Sequence, residues 1–248
     1  MPSKSLPDLA PDVVHLWLID LDLPAQPMTD LQMLLTQDER LRAFHTSQLQ
    51  SRFAVRRASL RILLSRYVHI APTELVIKFG QHGKPYLSYP STNLCFNLSH
   101  SGRFVLLALS TAESIGIDIE RMEPIADMDL VARHHFSPTE QSDLFNLPAH
   151  HRMQAFYNCW TRKEAVIKAD GRGLGIPLDS FDVTLAPDDP PQVRRLDLSV
   201  HTGPHWHLND MPLGTKYAGS LAMSLPVSYA HYWLCSSNPS QSLETLFG

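Results

Sequence analysis

Two acidic residues stand at alternate positions in the short apolar segment IGIDIE, residues 115–120. Alternate side chains of a β-strand share a face, so Asp118 and Glu120 point together with their Cα atoms roughly 6–7 Å apart. Such a carboxylate pair suits a hard divalent cation such as Mg²⁺, which takes carboxylates together with substrate phosphates. The alternative is a solvated strand face with an ordinary acidic pair, and the pair by itself favours that alternative.

A second group of charges lies in FYNCWTRKEAVIKADGRGL, residues 156–174, which has the spacing of a helix. Glu164 shares a helical stripe with Trp160, which places its carboxylate beside the apolar seam. Lys163 and Lys168 flank this carboxylate. Glu164 and Lys168 also have the spacing of an ordinary surface ion pair. A carboxylate with two ammonium groups nevertheless suits a metal-bound pyrophosphate, and the combination is more informative than any single residue.

Three further segments could bind an anion. In FNLSHS, residues 96–101, Ser99 and His100 stand at a strand end, where a hydroxyl, an imidazole and backbone N–H groups can bind phosphate oxygens. Adjacent strand residues face opposite ways, which argues against a hydrolytic triad. The glycine-bounded turn GQHGKP presents Lys84 without the spacing of a phosphate-binding loop. The helical arginine series that begins at Arg52 predicts a solvated face or a local anion site.

The elements that must position these groups alternate along the chain. A strand is expected over residues 13–23, helices over 28–44 and 47–68, and strands over 74–79, 94–110 and 115–120. Ser137 and Glu140 have the spacing of a capping box, which is sufficient to explain Glu140, and Gly171 ends a helix over 151–170. The segment from 121 to 133 is expected to be a mixed connection. This order favours an α+β fold of two similar halves.

The composition narrows the class of protein. The 248 residues are 44% hydrophobic and 19% charged, which is typical of a globular chain. A formal charge of −4 argues against a nucleic-acid-binding surface. Three cysteines without metal-type spacing predict reduced thiols in the cytoplasm. No segment approaches the ~20 apolar residues of a membrane span.

Taken in order, FNLSHSG, GIDIE, FSPTE and WTRKEAVIKADGRGL resemble the surfactin-synthetase-activating type of 4′-phosphopantetheinyl transferase, and GKPYL upstream agrees. The resemblance covers most of residues 36–235. It implies an α+β fold of two pseudo-twofold-related halves with the active site in the cleft between them. Residues 1–112 would form the half with the nucleotide contacts, and residues 113–248 the half with the metal and pyrophosphate site.

The resemblance also implies an activity and its partners. The enzyme would transfer the phosphopantetheine arm of coenzyme A to a serine hydroxyl of an apo acyl or peptidyl carrier protein and release 3′,5′-ADP. Mg²⁺ would be required, with Mn²⁺ as an alternative ion. A monomer in the cytoplasm would suffice, without nucleic acid or membrane as partners.

Residue roles are carried over by motif match. They are Asp118, Glu120 and Glu164 for the metal; Lys163 and Lys168 for the pyrophosphate; Ser99 and His100 for the phosphates of coenzyme A; Arg52, Gly83 and Lys84 for the nucleotide; and Glu164 and Lys168 as the catalytic pair. Glu164 would be the general base, directly or through a metal-bound water, and Lys168 would protonate or stabilise the leaving phosphate. The basic cluster of the family is matched by DERLRAFH, residues 38–45, in which Glu39 stands among arginines, so the contacts to the 3′-phosphate stay unassigned.

Two rival functions and one docking hypothesis accompany this interpretation. A metal-dependent nuclease would also use an acidic pair with a lysine, but the acidic net charge disfavours it. A carrier-binding homologue without activity would not need all three carboxylates and both lysines. For the carrier, residues 121–145 are expected to supply an apolar and basic patch that includes Met122, Met128, Leu130, Arg133 and Phe136.

Overall fold

The computed structural model describes residues 6–42, 44–197 and 204–236. The helices in this part of the chain are Met28–Met33 (α1), Gln37–Leu41 (α2), Ser47–Val68 (α3), Met128–His135 (α4), Pro138–Asn146 (α5) and Ala149–Asp170 (α6). The strands are Val13–Asp20 (β1), Val76–Phe79 (β2), Pro85–Tyr89 (β3), Cys95–Ser101 (β4), Phe104–Ser110 (β5), Ile115–Arg121 (β6), Phe181–Val183 (β7), Val193–Leu196 (β8), His207–Asp210 (β9), Tyr217–Met223 (β10) and Tyr229–Cys235 (β11).

The strands form two main sheets that lie between two long helices. One sheet has the order β11-β1-β5-β4 and the other β6-β10-β9, while β2–β3 and β7–β8 are separate hairpins. One apolar cluster joins α3 to the first sheet, a second fills the space between the sheets, and a third joins the second sheet to α6. The expected α+β class is confirmed.

Strand β1 shows how the sequence produces this layering. Its apolar residues alternate between two cores: Leu16 and Leu18 belong to the cluster between the sheets, and Trp17 and Ile19 belong to the cluster under α3. A strand that is buried on both faces reads as a continuous apolar run, as VVHLWLI does.

The local signals at the two ends of the α5–α6 segment are confirmed. Ser137 caps α5 with its side chain, and the carboxylate of Glu140 accepts a hydrogen bond from the backbone of Ser137, which completes the capping box. Helix α6 ends at Gly171, whose φ of 87° lies in the left-handed region that favours glycine.

Two features differ from the sequence-based expectation. Residues 128–135 form helix α4, where a mixed connection was expected. Strand β11 returns to pair in parallel with β1, from Val13 opposite Tyr229 to Ile19 opposite Cys235. The last strand of the expected second half therefore belongs to the sheet of the first half.

The packing of α6 on β6 depends on Gly116. A Cβ atom at this position would lie 2.1 Å from the Ala165 carbonyl oxygen and 2.2 Å from the Ala169 nitrogen. Because both contacts are to backbone, neither can move aside like a side-chain tip. Gly116 therefore sets the close approach that brings the polar face of α6 over the neighbouring residues of β6.

Two further findings concern the whole described region. Cys95, Cys159 and Cys235 are free thiols. Among the helices that the structure describes, none is long and apolar enough to cross a membrane.

Candidate active site

The acidic pair of β6 faces α6, as its alternation predicts. Ile117 and Ile119 are buried between the sheets, and Asp118 and Glu120 point to the other side. Because Gly116 allows the helix to approach, Lys168 and Glu164 of α6 lie over these carboxylates. Four of the residues singled out from the sequence therefore meet at one place.

Asp118 is buried, and its two carboxylate oxygens differ in their hydrogen bonding. Its Oδ1 accepts hydrogen bonds from Ser99 Oγ at 2.7 Å and from Lys168 Nζ at 2.6 Å. Its Oδ2 is buried with no hydrogen-bond partner in the described part of the chain. Burial raises the pKa of Asp118, although the ammonium and hydroxyl groups act in the opposite direction. An orphaned oxygen of this kind is costly unless a further partner binds it.

Glu120 and Glu164 complete a group of mutually repelling carboxylates. Burial is the main cause that raises the pKa of each, and the charge of Asp118 raises both further. Ser101 Oγ donates to Glu120 Oε2 at 2.8 Å, and the charge of Lys168 offsets part of the repulsion. The site holds more negative charge than one ammonium group can balance.

Lys163 does not join this cluster, so the expected pyrophosphate contact is wrong for this residue. Its side chain is fully buried on another side of α6. The ammonium pairs with Glu140 at 2.8 Å and donates to the carbonyl oxygens of Leu178 at 2.6 Å and Phe181 at 2.5 Å. Because its partners are buried with it, Lys163 joins α6 to α5, to the segment before β7 and to the first residue of β7.

Strand β4 presents polar groups on both of its faces. Ser99 and Ser101 face the two carboxylates of β6, while His100 between them faces α3. There, Arg56 Nη1 lies 3.0 Å from His100 Nε2. The strand therefore separates an acidic site on one side from a cationic site on the other.

The cationic side is a groove made of two adjoining pockets of about 550 and 480 Å³. The residues common to both pockets are Arg42, Phe53, Arg56 and His100. Arg52 lines the first pocket, and Phe79 and Pro85 line the second. A groove with several guanidinium groups and apolar walls suits an anion attached to an aromatic or apolar body.

The three residues expected near a nucleotide differ in their position. Arg52 is held by Asp22 through two hydrogen bonds of 2.7 Å, and its guanidinium remains at the groove. Lys84 donates instead to the carbonyl oxygens of Ile115 and Ala169 at 3.0 and 3.1 Å. This ammonium anchors the β2–β3 hairpin to the end of α6. Gly83 has a φ of 82° in the hairpin turn beside it.

Sequence reasoning did not single out two residues that the structure places at the site. Ser101 donates to Glu120 as Ser99 donates to Asp118, and the two-residue spacing of the serines on β4 matches that of the carboxylates on β6. The pattern was available in the sequence. Arg56 belonged to a series that was expected to form a solvated face or a local anion site, and only the tertiary structure shows that it reaches His100.

The acidic cluster has the donor set for a divalent cation but not its coordination geometry. In residues 6–42, 44–197 and 204–236, no three acidic, imidazole or thiol groups are already arranged to hold a metal ion. The carboxylates of Asp118, Glu120 and Glu164 are nevertheless hard oxygen donors, one buried oxygen lacks a partner among the described residues, and their charges are underbalanced. These residues fit a Mg²⁺ ion, provided that Lys168 gives up part of its contact with Asp118.

Comparison with known proteins identifies the class. A family model described as the 4′-phosphopantetheinyl transferase superfamily matches residues 114–222, and one described as 4′-phosphopantetheinyl transferase, N-terminal, matches residues 26–112. The 4′-phosphopantetheinyl transferase HetI of Nostoc sp. is 34% identical over 215 residues, which cover 85% of this chain and 87% of the relative. The chain therefore belongs to the 4′-phosphopantetheinyl transferases, enzymes that transfer phosphopantetheine to carrier proteins.

Two further relatives agree with this assignment. The 4′-phosphopantetheinyl transferase Sfp of Bacillus subtilis is 36% identical over 151 residues, 60% of this chain and 65% of the relative. The 4′-phosphopantetheinyl transferase AcpT of Salmonella typhi is 40% identical over 134 residues, 53% of this chain and 67% of the relative. The resemblance to the surfactin-synthetase-activating type is thereby confirmed.

Proposed function

We propose that this enzyme transfers the phosphopantetheine arm of coenzyme A to a serine hydroxyl of an apo acyl or peptidyl carrier protein and releases 3′,5′-ADP. The observation that carries the proposal is the underbalanced carboxylate cluster of Asp118, Glu120 and Glu164, which a single strand, β4, separates from a cationic groove. One side suits a metal and a reacting phosphate, and the other suits the anionic nucleotide.

Asp118, Glu120 and Glu164 would hold Mg²⁺, or Mn²⁺ in its place. When bound, such an ion neutralises the pyrophosphate charge and polarises the phosphoryl group. Two observations support these ligands: one buried oxygen of Asp118 has no partner in the part of the chain that the structure describes, and the pKa values of all three carboxyl groups are raised. Each of these features is relieved by a cation.

The reaction forms a bond from the serine oxygen to the β-phosphorus of coenzyme A and breaks the bridging phosphorus–oxygen bond to 3′,5′-ADP. Glu164 would accept the serine proton as the general base. Lys168 would move from Asp118 to the leaving phosphate and stabilise its charge. Ser99, whose hydroxyl donates to Asp118 Oδ1 and accepts from Lys168 Nζ at 3.0 Å, would turn its proton from Asp118 to a phosphate oxygen.

The nucleotide would occupy the cationic groove. Arg52 and His100 line it, and Gly83 and Lys84 lie in the β2–β3 turn that precedes Pro85 of its wall. The proposed halves, residues 1–112 and 113–248, would be related by a pseudo-twofold axis with the active site in the cleft between them. In support, each half contains a 22-residue helix that packs on a sheet, although β11, from the second half of the sequence, belongs to the sheet of the first half.

The carrier would dock beside α4. Leu130 is exposed on this helix, and Arg133 lies over the Phe145 ring at 4.9 Å. Phe136 is buried, so it does not belong to the patch that was expected from the sequence. Substitution of Arg133 by Glu should raise the KM for an acidic carrier and leave coenzyme A binding unchanged.

The remaining parts of the proposal concern the surroundings of the enzyme. A monomer would suffice, since both sides of the site come from one chain. The enzyme would act in the cytoplasm, where its three thiols stay reduced, and would need neither a membrane nor nucleic acid.

Intact mass spectrometry of an apo carrier protein, incubated with the enzyme, coenzyme A and Mg²⁺, tests the proposed reaction. The expected result is the gain of one phosphopantetheinyl group per carrier, with none for Glu120→Ala. Carriers from fatty-acid, polyketide and peptide systems should be compared. Absence of the gain with every carrier, from a folded enzyme that binds coenzyme A, would contradict the proposal.

A further inference from the structure

The contact between Arg56 and His100 joins α3 to the strand that separates the two sides of the site. Even-numbered residues of β4 face α3: Phe96 and Leu98 pack in the core under this helix, and His100 continues the same face at the strand end. Arg56 Nη1 lies 3.0 Å from His100 Nε2, and both residues line both pockets of the groove.

The chemistry of the two groups fixes the direction of this hydrogen bond. A guanidinium has only donors and stays protonated in proteins, so Arg56 must donate. His100 Nε2 must then accept through its lone pair, which requires a neutral imidazole. The single ring proton is therefore on Nδ1, and the opposite tautomer would place two N–H groups against each other.

The charges around His100 support the neutral form. The cations that line the groove or act on the imidazole, besides Arg56, are Arg42 from the preceding loop, Arg52 and Arg57 from α3 and Lys168 from α6. The acids in or beside the groove are Asp38, Glu39 and Asp22. Asp22 and Glu39 are engaged by Arg52 and Arg57 respectively. Burial lowers the pKa of His100, and the charges of Arg56 and Lys168 lower it further.

We propose that Arg56 is a positioning residue that holds His100 as the neutral Nδ1–H tautomer, so that the imidazole offers a fixed N–H donor to a phosphate of coenzyme A. The identity of this phosphate ligand rests on the proposed function, whereas the tautomer follows from the hydrogen bond alone. His100 could then bind the phosphate without first taking up a proton, and Arg56 would keep its own positive charge in the groove.

The distinction from a direct phosphate contact is testable because Arg56 would then act through His100. In Arg56→Met the imidazole loses its donor partner and should populate both tautomers. The KM for coenzyme A should rise about tenfold with little change in kcat, as expected for loss of one charged hydrogen bond. His100→Gln should show a similar rise, and the double variant should be little worse than either single variant.

The experiment combines nitrogen NMR of the folded, unliganded enzyme with a double-mutant cycle on the KM for coenzyme A. The His100 signals are assigned by their loss in His100→Gln. Arg56→Lys, which restores a donor, should recover the Nδ1–H tautomer. Arg66→Met, at the far end of α3, is the matched control and should change neither the His100 signals nor the KM.

Three results would overturn the proposal. They are an Nε2–H tautomer in the wild type, an unchanged tautomer in Arg56→Met, and full additivity of the two single variants, which would make Arg56 a direct phosphate contact. Failure of the proposed function is a separate result, because the NMR measurement needs neither coenzyme A nor turnover.

Discussion

Helix α6 carries two lysines that each pair with a buried carboxylate, and the two pairs differ in everything else. Lys163 and Glu140 are 0% and 1% exposed, and carbonyl and backbone N–H groups occupy their other hydrogen-bonding atoms. Lys168 is 27% exposed, one oxygen of its partner Asp118 has no hydrogen-bond partner within residues 6–42, 44–197 and 204–236, and two further carboxylates lie nearby. Lys163 and Glu140 form the sealed pair, whose hydrogen-bonding atoms are all engaged inside the protein and whose role is structural. Lys168 and Asp118 form the incomplete pair, whose remaining oxygen can still bind a ligand.

Breaking the sealed pair should have the largest effect on stability. In Lys163→Met the Glu140 carboxylate loses its cation in a closed environment, so the free energy of unfolding should fall by about 3–5 kcal/mol. Urea denaturation measures this change. Glu140→Gln combined with Lys163→Met should recover much of the loss, because no uncompensated charge remains. A single variant as stable as the wild type would show that the pair is not sealed in solution.

Breaking the incomplete pair should affect activity rather than stability. In Asp118→Asn a ligand of the proposed metal is lost, and kcat should fall on the order of 10²–10³-fold. The melting temperature should hold or rise, because the substitution removes a buried charge that the carboxylates of Glu120 and Glu164 repel. Near-normal turnover would contradict the account, as would unfolding of the variant.

The contrast between these lysines was accessible in part from the sequence. Successive helical residues are about 100° apart, so Glu164 and Lys168 share a face, while Lys163 and Lys168 differ by about 140°. Two lysines in one motif therefore could not both face β6. The motif match grouped them, and helical geometry separates them.

Local signals predicted the fold better than distant ones. Helix α3 and the Ser137 capping box follow from spacing and end signals within a few residues. The pairing of β11 with β1 joins residues more than 200 positions apart, and no local pattern specifies it. The groove likewise requires residues from α3, β4 and the β2–β3 hairpin, so Arg56 could not be recognised as a partner of His100.

A third buried group sharpens the comparison, because it has an orphaned atom far from the site. His15 Nδ1 bonds the Tyr67 hydroxyl at 2.9 Å, and its Nε2 is buried without a partner in the residues that the structure covers. Burial, with a smaller effect of His231, lowers the pKa of His15 to about 4. An orphaned atom without neighbouring carboxylates should affect stability alone.

This pKa predicts a loss of stability in acid. The pKa of His15 is lower in the folded protein than in the unfolded chain, where it is about 6.5, so the unfolded state binds the proton first as the pH falls. The free energy of unfolding should therefore keep its full value above pH 6.5 and decrease by up to about 3 kcal/mol as the pH falls towards 4. The free energy of unfolding, measured by urea denaturation across this pH range, should depend less on pH in His15→Gln than in the wild type. Equal slopes in both proteins would contradict the prediction.

The smallest expected effect is at the cap that borders the sealed pair. Ser137→Ala removes the side-chain acceptor for the Glu140 N–H and should cost about 1 kcal/mol of unfolding free energy. Thr36→Ala, in the exposed capping box of α2, is the matched control and should cost less. A larger loss of unfolding free energy in Thr36→Ala would show that burial does not increase the contribution of the α5 capping box to stability.

The most direct test of the account is a Mn²⁺ titration followed by electron paramagnetic resonance, with coenzyme A present, on the wild type, Asp118→Asn and Lys163→Met. We expect one bound Mn²⁺ in the wild type and in the folded fraction of Lys163→Met, and none in Asp118→Asn at the same concentrations. Equal binding by the wild type and Asp118→Asn would contradict the claim that the incomplete pair is the metal site.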